Sequence, residues 1–329
     1  MRAASGSRLP SWHRALGAAA IVALLSATVA AHAQYPAKPI NLIVPFPAAT
    51  ASDLVARIIA TEMSTTMGQP VLVQNRPGAN SAIGAAAVAA AAPDGYTLLI
   101  ATAGTVALPA MSKSLPYDTL RDLTPISAVA RFVLFLYVNV DLPVKNVSEL
   151  FDYARAHPGK LNYATGNPVG IAASAQMLTM AGNLNLVHVP YKGEPAGVVD
   201  LTSNRVQVMF ATPSSADSFA KSGKLRVLAT NLPTRAAFAP EVPSINEHLP
   251  KFSATAWAGL MGPRDLPKDI VDRLSREVTA ALEQPQARAQ LERMQAVGAG
   301  STPAAFSTFF REQVETYSRL LREAGVKPE

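Results

Sequence analysis

The sequence predicts an α/β protein in which two lobes enclose a central ligand cleft. Short apolar strands alternate with helices along most of the chain, which is the pattern of sheets covered by helices. The chain has 329 residues and is longer than one hydrophobic core usually serves. Two strands would cross between the lobes, and two crossings make a hinge. The predicted parts are a leader at 1–33, lobe 1 at 34–135 plus 256–329, and lobe 2 at 136–255.

The first 33 residues have the features of a removable export signal. Three arginines and no acid accompany an apolar run from Ala15 to Ala31, and Ala31-His32-Ala33 fits a small-x-small cleavage site. The run is shorter than the about 20 residues that span a bilayer. We therefore interpret it as a signal rather than an anchor, and expect the mature chain to begin near Gln34.

Composition excludes several classes of function. Removing residues 1–33 leaves 296 residues, and because that segment holds three basic residues and no acid, the net charge falls from +6 to +3. Basic residues form no run, so nucleic-acid binding is not expected. The chain has no cysteine, which excludes disulfides and an N-terminal lipid anchor. The three histidines of the mature chain lie far apart, so no metal site is expected.

Lobe 1 is predicted to begin with three strands separated by loops and helices. The first helix, from about Ser52 to Met67, has one apolar face, and Gly68 is a natural stop. An alanine-rich helix ends near Ala92, before the turn Pro93-Asp94-Gly95. The predicted strands are Ile40 to Val44, Val71 to Gln74 and Tyr96 to Ala101.

The two predicted crossings frame lobe 2. A long strand from Phe132 to Val140 leads into it, and a strand from Ala254 to Met261 returns. Its first helix starts near Asn146, with Glu149 as capping-box partner. Its strands are predicted at Leu161 to Ala164, Leu186 to Val189, Val206 to Phe210 and Leu225 to Ala229.

The last seventy or so residues are predicted to be mainly helical, because apolar residues recur four apart on one face. The two apolar faces are Ile270, Leu274, Val278 and Leu282, and then Phe306, Phe310, Val314, Tyr317 and Leu321.

Several short motifs, in this order and spacing, resemble those of the Bug-type (TctC-like) receptors of tripartite tricarboxylate transporters. They cover essentially the whole mature chain. The main ones are Val44-Pro45-Phe46-Pro47, Asn75-Arg76-Pro77-Gly78-Ala79, Pro93-Asp94-Gly95-Tyr96-Thr97-Leu98-Leu99, Pro158-Gly159-Lys160-Leu161-Asn162-Tyr163 and Val189-Pro190-Tyr191-Lys192-Gly193.

The resemblance implies a type II periplasmic binding protein with a Venus-flytrap fold. Such a receptor works in the periplasm without a cofactor, binds a small di- or tricarboxylate or an aromatic carboxylate, and delivers it to the membrane subunits of the transporter. We expect a monomer and no enzymatic activity.

The resemblance also implies a carboxylate held between two loops, Phe46 to Asp53 and Thr165 to Gly170. Each loop follows a strand and opens a helix, where unpaired N–H groups suit an anion. Asp53 is expected to fix the first loop, and Ser52 taken alone is expected to be a helix cap. The candidate ligand-binding residues are Phe46, Ala48, Ala49, Thr50, Ser52, Asp53, Thr102, Thr165, Gly166, Asn167, Tyr191 and Ala211.

This sequence departs from the family at three informative positions. Ala48-Ala49-Thr50 stands where Pro-Gly-Gly is usual, so the backbone loses the freedom that glycine provides. Ala172 stands where many members have a histidine. Ala211 stands where an acid often pairs with a ligand amino group. We therefore expect a carboxylate without an amino group.

Two other functions remain open at this point. A secreted hydrolase lacks support because the chain has no G-x-S-x-G elbow, no H-E-x-x-H motif and no cysteine, although a Ser-His-Asp triad can assemble from distant residues. A sensor that presents carboxylate to a two-component histidine kinase would use the same surface as a transport receptor.

Overall fold

Two separate sheets form the framework of the protein. The computed structural model describes residues 35–328, so the predicted signal at 1–33 lies outside the described residues. Residues 38–329 form one compact unit, to which the description below refers. Among the described residues, no helix has the length and apolar character needed to cross a membrane.

The first sheet has six strands in the order β11-β4-β10-β3-β1-β2. Strands β1, β2 and β3 are parallel, whereas β10 runs antiparallel to both β3 and β4. The strands are β1 (Ile40–Val44), β2 (Val71–Asn75), β3 (Thr97–Thr102), β4 (Leu123–Phe132), β10 (Ala256–Pro263) and β11 (Ala296–Gly298). The helices that follow the first three strands are α1 (Ala51–Met67), α2 (Ala82–Ala89) and α3 (Ala103–Met111).

The second sheet has five strands in the order β7-β6-β8-β5-β9. Strand β6 is parallel to β7 and β8, and β5 is antiparallel to β8 and β9. The strands are β5 (Phe135–Asn139), β6 (Asn162–Thr165), β7 (Val187–Pro190), β8 (Val208–Ala211) and β9 (Leu225–Thr230). The helices between them are α4 (Val147–Ala156), α5 (Pro168–Met180), α6 (Glu194–Thr202) and α7 (Pro213–Lys221).

The predicted single strand from Phe132 to Val140 is wrong, because two strands of different sheets meet there. Strand β4 ends at Phe132 and β5 begins at Phe135. The link is buried, and Asn231 clasps it: Leu134 N–H donates to Asn231 Oδ1 at 2.8 Å, and Asn231 N–H donates to the Leu134 carbonyl at 3.0 Å. The chain therefore passes from the first sheet to the second at a point held by two hydrogen bonds.

Gln176 of α5 fixes the return passage. Its Oε1 accepts from the amides of Ser253 and Ala254 at 2.9 and 2.8 Å, and its Nε2 donates to Ser253 Oγ at 3.1 Å. The chain then enters β10, two residues later than the predicted strand start at Ala254.

The C-terminal region is mainly helical, as its apolar periodicity predicts, but it contains a third helix between the two predicted ones and the short strand β11, neither of which was predicted. The helices are α8 (Lys268–Glu283), α9 (Pro285–Arg293) and α10 (Pro303–Glu323). All five apolar residues predicted for the face of the last helix are buried. On α8 the predicted face is buried except for Ile270, which is partly exposed at the helix start.

An aromatic cluster joins α10 to the first sheet. The Trp257 ring makes edge-to-face contacts with Phe306 and Phe309 at centroid distances of 5.8 and 5.5 Å, a favourable geometry for aromatic pairs. Gly259 lies beneath the cluster, and a Cβ there would stand 2.1 Å from Phe306 Cζ. The close approach of α10 to β10 therefore requires glycine at this position.

We predict that Gly259→Ala lowers the free energy of unfolding by about 1–3 kcal/mol, the usual cost of overpacking a core. The matched control is Gly298→Ala in β11, where a Cβ meets its neighbours at 3.5 Å or more. The control is expected to change stability by less than about 0.5 kcal/mol. Urea unfolding measures both, and equal effects would contradict the packing assigned to Phe306.

Candidate functional site

The sheet registers place the ends of β3, β4 and β8 beside the first crossing, and β1 and β6 run parallel to β3 and β8. In the first sheet, Thr102 at the end of β3 pairs with Ala258, and Phe132 at the end of β4 pairs with Ala256. In the second sheet, Ala211 at the end of β8 pairs with Phe135. The loops after β1, β3, β6 and β8 therefore gather at the two edges joined by the Phe132–Phe135 link, where open α/β sheets usually bind ligands.

Asp53 holds the first loop in place. Its side chain is 1% exposed and accepts hydrogen bonds from the Ala49 amide at 2.9 Å, from Arg57 Nε at 3.0 Å and from Asn75 Nδ2 at 2.8 Å. Asn75 Nδ2 also donates to the Phe46 carbonyl at 3.1 Å. The expectation that Asp53 fixes this loop is confirmed, and its carboxylate is occupied by the protein itself.

The environment of Asp53 lowers the pKa of its carboxyl group below the ordinary value of 3.8. Burial raises the pKa, but the hydrogen bonds from Arg57, Asn75 and Ala49 and the charge of Arg57 together outweigh that effect. The ionised form is therefore the one that the folded loop requires.

Helix α1 begins without a side-chain cap. Its N-cap residue is Thr50, which makes no capping hydrogen bond; its hydroxyl donates to the Pro47 carbonyl at 2.9 Å. Ser52 lies within the first helical turn, so the expectation that it caps the helix is wrong. The amides of residues 51–53 therefore have no hydrogen-bond acceptor among the described residues. They lie at the positive end of the helix dipole.

The first loop reaches its conformation without glycine. Ala49 has φ 64°, a left-handed conformation that costs an L-residue with a Cβ roughly 1–2 kcal/mol. The hydrogen bond from the Ala49 backbone N–H to the Asp53 carboxylate holds Ala49 in this conformation. Phe46 is partly buried, while Ala48 and Ala49 are exposed.

The side chains of the second loop are used within the protein. Thr165 Oγ1 lies 2.7 Å from His188 Nε2, and burial lowers the pKa of His188. Asn167 caps α5, since its Oδ1 accepts from the Gly170 amide at 2.7 Å. A Cβ on Gly166 would lie 2.4 Å from the Glu194 nitrogen, so glycine allows this loop to approach α6. The donors that remain for a ligand are therefore main-chain groups.

Glu194 ties three cleft segments together, and sequence reasoning missed it. Its carboxylate, on a residue 8% exposed, accepts from Asn167 Nδ2 at 2.5 Å, from the Thr212 amide and hydroxyl at 3.0 and 2.6 Å, and from Ser215 Oγ at 3.0 Å. Although position 211 is an alanine, an acid lies beside it, because Glu194 at the start of α6 accepts from the next residue, Thr212. The oxygens of Glu194 are already hydrogen-bonded within the protein. Its one sequence signal is its place directly after the motif that ends in Gly193.

The other candidate residues have structural partners. Thr102 caps α3, accepting from the Gly104 amide at 3.1 Å. The Tyr191 hydroxyl donates to Asp200 at 2.7 Å; burial and that bonded carboxylate raise its pKa to about 12. Ala211 is fully buried. Of these residues, only Tyr191 is partly exposed beside the second loop.

A cavity of about 290 Å³ lies where the first loop meets the second sheet. Ala51, the first residue of α1, forms one side, and the start of α7 forms another. Sequence reasoning predicted neither α7 nor the end of α9 as part of the site. The lining residues are Ala51, Phe132, Val133, Thr212, Pro213, Ser214, Asp217, Arg293, Met294 and Gln295.

A larger cavity of about 1020 Å³ lies along β11 and the loop 232–238. Neither predicted loop contributes to it, so we assign the candidate site to the smaller cavity and the two loops. Among residues 35–328, no group of three histidine, aspartate or glutamate residues is arranged to bind a metal ion.

The geometry gives little support to hydrolase chemistry. Ser148 Oγ lies 3.2 Å from His248 Nδ1, but Ser148 is in the first turn of α4, His248 follows a short turn at Ile245–Glu247, and neither residue belongs to the two predicted loops. Among the described residues, no hydrogen bond joins a carboxylate to His248, so the third member of a triad is not in place.

Comparison with known proteins shows the family. The sequence profile described as "Tripartite tricarboxylate transporter family receptor" matches residues 55–326. Protein BugT from Bordetella pertussis is 33% identical over 302 residues, which are 89% of this chain and 91% of BugT. The chain belongs to this receptor family, which consists of periplasmic solute-binding proteins rather than enzymes.

Solved structures show the same two-lobed fold. A TctC solute binding protein from Polaromonas superposes with a TM-score of 0.78 at 25% identity, covering 88% of this chain and 99% of the other. A protein from R. palustris solved with adipate gives 0.70 at 29%, covering 90% and 100%. MatC from Rhodopseudomonas palustris, solved with malate, gives 0.67 at 29%, covering 87% and 100%. The protein is therefore a two-lobed α/β binding protein, as the sequence predicts.

We predict that Ala49→Gly stabilises the protein, by about 0.5 kcal/mol. Removing the left-handed strain outweighs the added freedom of the unfolded chain. Ala48→Gly, one residue earlier and outside the left-handed region, removes no strain and is expected to destabilise by about 0.4–1 kcal/mol. Urea unfolding of both variants tests the loop conformation, and changes of the same sign would contradict it.

We predict that Asp53→Asn costs about 1.5–3 kcal/mol at pH 7, the range for hydrogen bonds to a charged group. Because the pKa of Asp53 is lowered by folding, its contribution is complete above about pH 3.8 and is lost as the pH falls through the folded-state pKa. The difference between wild type and Asp53→Asn should therefore shrink below pH 3.8. Urea unfolding at pH 7 and pH 3 measures it; a difference that stays constant would contradict the assignment.

Proposed function

We propose that this protein is a periplasmic receptor that captures a small carboxylate without an amino group for a tripartite tricarboxylate transporter. The single observation that carries the proposal is the uncapped start of α1, held in place by Asp53, at the edge where the two sheets meet. Free main-chain donors at a helix start are suited to a carboxylate. Family membership and the adipate and malate in two relatives support this ligand class.

Recognition is proposed to depend mainly on main-chain groups and bridging water. The hydroxyl and amide side chains of the second loop are already paired with His188, Gly170 and Glu194, so they are poorly placed to select a ligand. Water can mediate such contacts with little loss of strength. Both oxygens of Glu194 already accept hydrogen bonds within the protein, and Ala211 is apolar, so neither position provides an ammonium group with an unbonded carboxylate oxygen.

Delivery is proposed to follow lobe closure. The proposed lobes are 34–135 plus 256–329 and 136–255, with the hinge at Val133–Leu134 and the return passage near Ser253. A carboxylate bound between α1 and the second sheet favours the closed arrangement, which then docks as a monomer on the membrane subunits of the transporter. We also propose that residues 1–33 direct export and are removed near Ala33.

We predict that small dicarboxylates raise the melting temperature of the protein. At a hundredfold excess over the dissociation constant, a ligand adds about 2.7 kcal/mol of stability. A thermal-shift screen with adipate, malate, citrate and benzoate tests this, with aspartate and glutamate as amino-group controls. Failure of every acid to shift the melting temperature would sink the proposal, and binding of aspartate alone would overturn the ligand class.

We predict that Ala51→Glu abolishes carboxylate binding without unfolding the protein. A glutamate in the first turn of a helix is compatible with its dipole, yet it places a negative charge at the proposed anion site. Ala304→Glu is the matched control, because it makes the same change in the exposed first turn of α10, outside the site. Unimpaired binding by Ala51→Glu in calorimetry would contradict the assignment of the site to α1.

A further inference from the structure

We propose that the cavity beside α1 receives a second carboxylate of the ligand, and that Arg293 selects for it. This inference rests on the proposed function, because it assigns the far end of the ligand whose first carboxylate binds at the start of α1. It makes the ligand a dicarboxylate and names the residue that distinguishes it from a monocarboxylate of the same length.

The cavity is placed to continue the proposed site. Ala51, the first residue of α1, lines it, so a ligand anchored on the α1 amides can extend directly into it. Thr212, Pro213 and Ser214, at the start of α7, also line it. Its volume of about 290 Å³ is at the small end of the range for ligand sites, which fits the remainder of a short-chain acid.

Arg293 is an exposed residue that lines this cavity. It is the last residue of α9, and its Nε donates to the Ala289 carbonyl at 3.1 Å, which is the ordinary role of a basic residue at a helix end. Among residues 35–328, no salt bridge includes Arg293, so both Nη atoms can bind another group. Two parallel N–H donors match the two oxygens of a carboxylate.

Asp217 is the acid in the same lining, and each of its oxygens already accepts one hydrogen bond. Oδ1 accepts from the fully buried Tyr137 hydroxyl at 2.7 Å, and Oδ2 accepts from Gln295 Nε2 at 3.4 Å. The two charged residues suit different ligand groups: Arg293 would bind a second carboxylate, whereas Asp217 would bind an ammonium group. The carboxylate is the better-supported choice, because the Arg293 Nη groups have no partner among the described residues, whereas each Asp217 oxygen already accepts a hydrogen bond.

Three six-carbon acids that differ only at the far end test whether the cavity binds a carboxylate or an ammonium group. Hexanoate ends in a methyl group, adipate in a carboxylate and 6-aminohexanoate in an ammonium group; butyrate and succinate repeat the first comparison at four carbons. Calorimetry with wild type should show dicarboxylates binding about 10- to 100-fold more tightly than monocarboxylates of equal length, the range that charge-assisted hydrogen bonds supply. Arg293→Gln should abolish that preference and leave monocarboxylate affinity unchanged.

Arg288→Gln, an exposed arginine on the same helix that does not line this cavity, is the matched control and should retain the preference. If Arg293→Gln retains it as well, or if wild type binds the two kinds of acid equally, the inference is overturned while the proposed function stands. Tightest binding by 6-aminohexanoate, lost in Asp217→Asn, would also overturn it in favour of an ammonium site. If none of these acids binds wild type, the inference is overturned, and the thermal-shift screen with malate, citrate and benzoate decides whether the proposed function fails as well.

Discussion

The buried carboxylate of Asp53 is the interaction on which the candidate site depends. It holds the Ala49 amide, Arg57 and Asn75 at once, and Asn75 in turn holds the Phe46 carbonyl. These bonds stabilise a left-handed residue without glycine and leave the start of α1 uncapped. The backbone strain at Ala49 is thus offset by the hydrogen bonds of the charged Asp53 side chain. The unpaired main-chain N–H groups at the start of α1 are the donors that an anionic ligand needs.

In the second sheet, the buried carboxylate of Glu194 holds the loops in place, as Asp53 does in the first. Glu194 connects the loop after β6, the start of α6 and the start of α7 through its hydrogen bonds, so these three segments are held together. Because both acids are saturated by protein donors, neither opposes a carboxylate through an unpaired oxygen. The link at Val133–Leu134, where Leu134 is hydrogen-bonded to Asn231, is the place where we propose that the two lobes move relative to each other.

Local signals in the sequence predicted much of this fold. Strand and helix alternation, the stop of α1 at Gly68 and the aromatic face of α10 each depend on neighbours within a few residues. The break between β4 and β5 could not be predicted, because both strands are apolar and periodicity does not reveal the partner strand. Strand β4, helix α3 and strand β11 were missed as well. The role of Asp53 was predictable from its place in the first turn after a strand, whereas the partners of Glu194 are 18 to 27 residues away.

The central claim is that a carboxylate binds to the start of α1 between the two sheets. A crystal structure of the protein with a thermally stabilising dicarboxylate addresses it most directly. We expect one ligand carboxylate within hydrogen-bond distance of the amides of residues 51–53, directly or through one water, and the rest of the ligand facing α7. Ligand density elsewhere, for example in the cavity along β11, with the α1 amides bound only to bulk water, would contradict the claim.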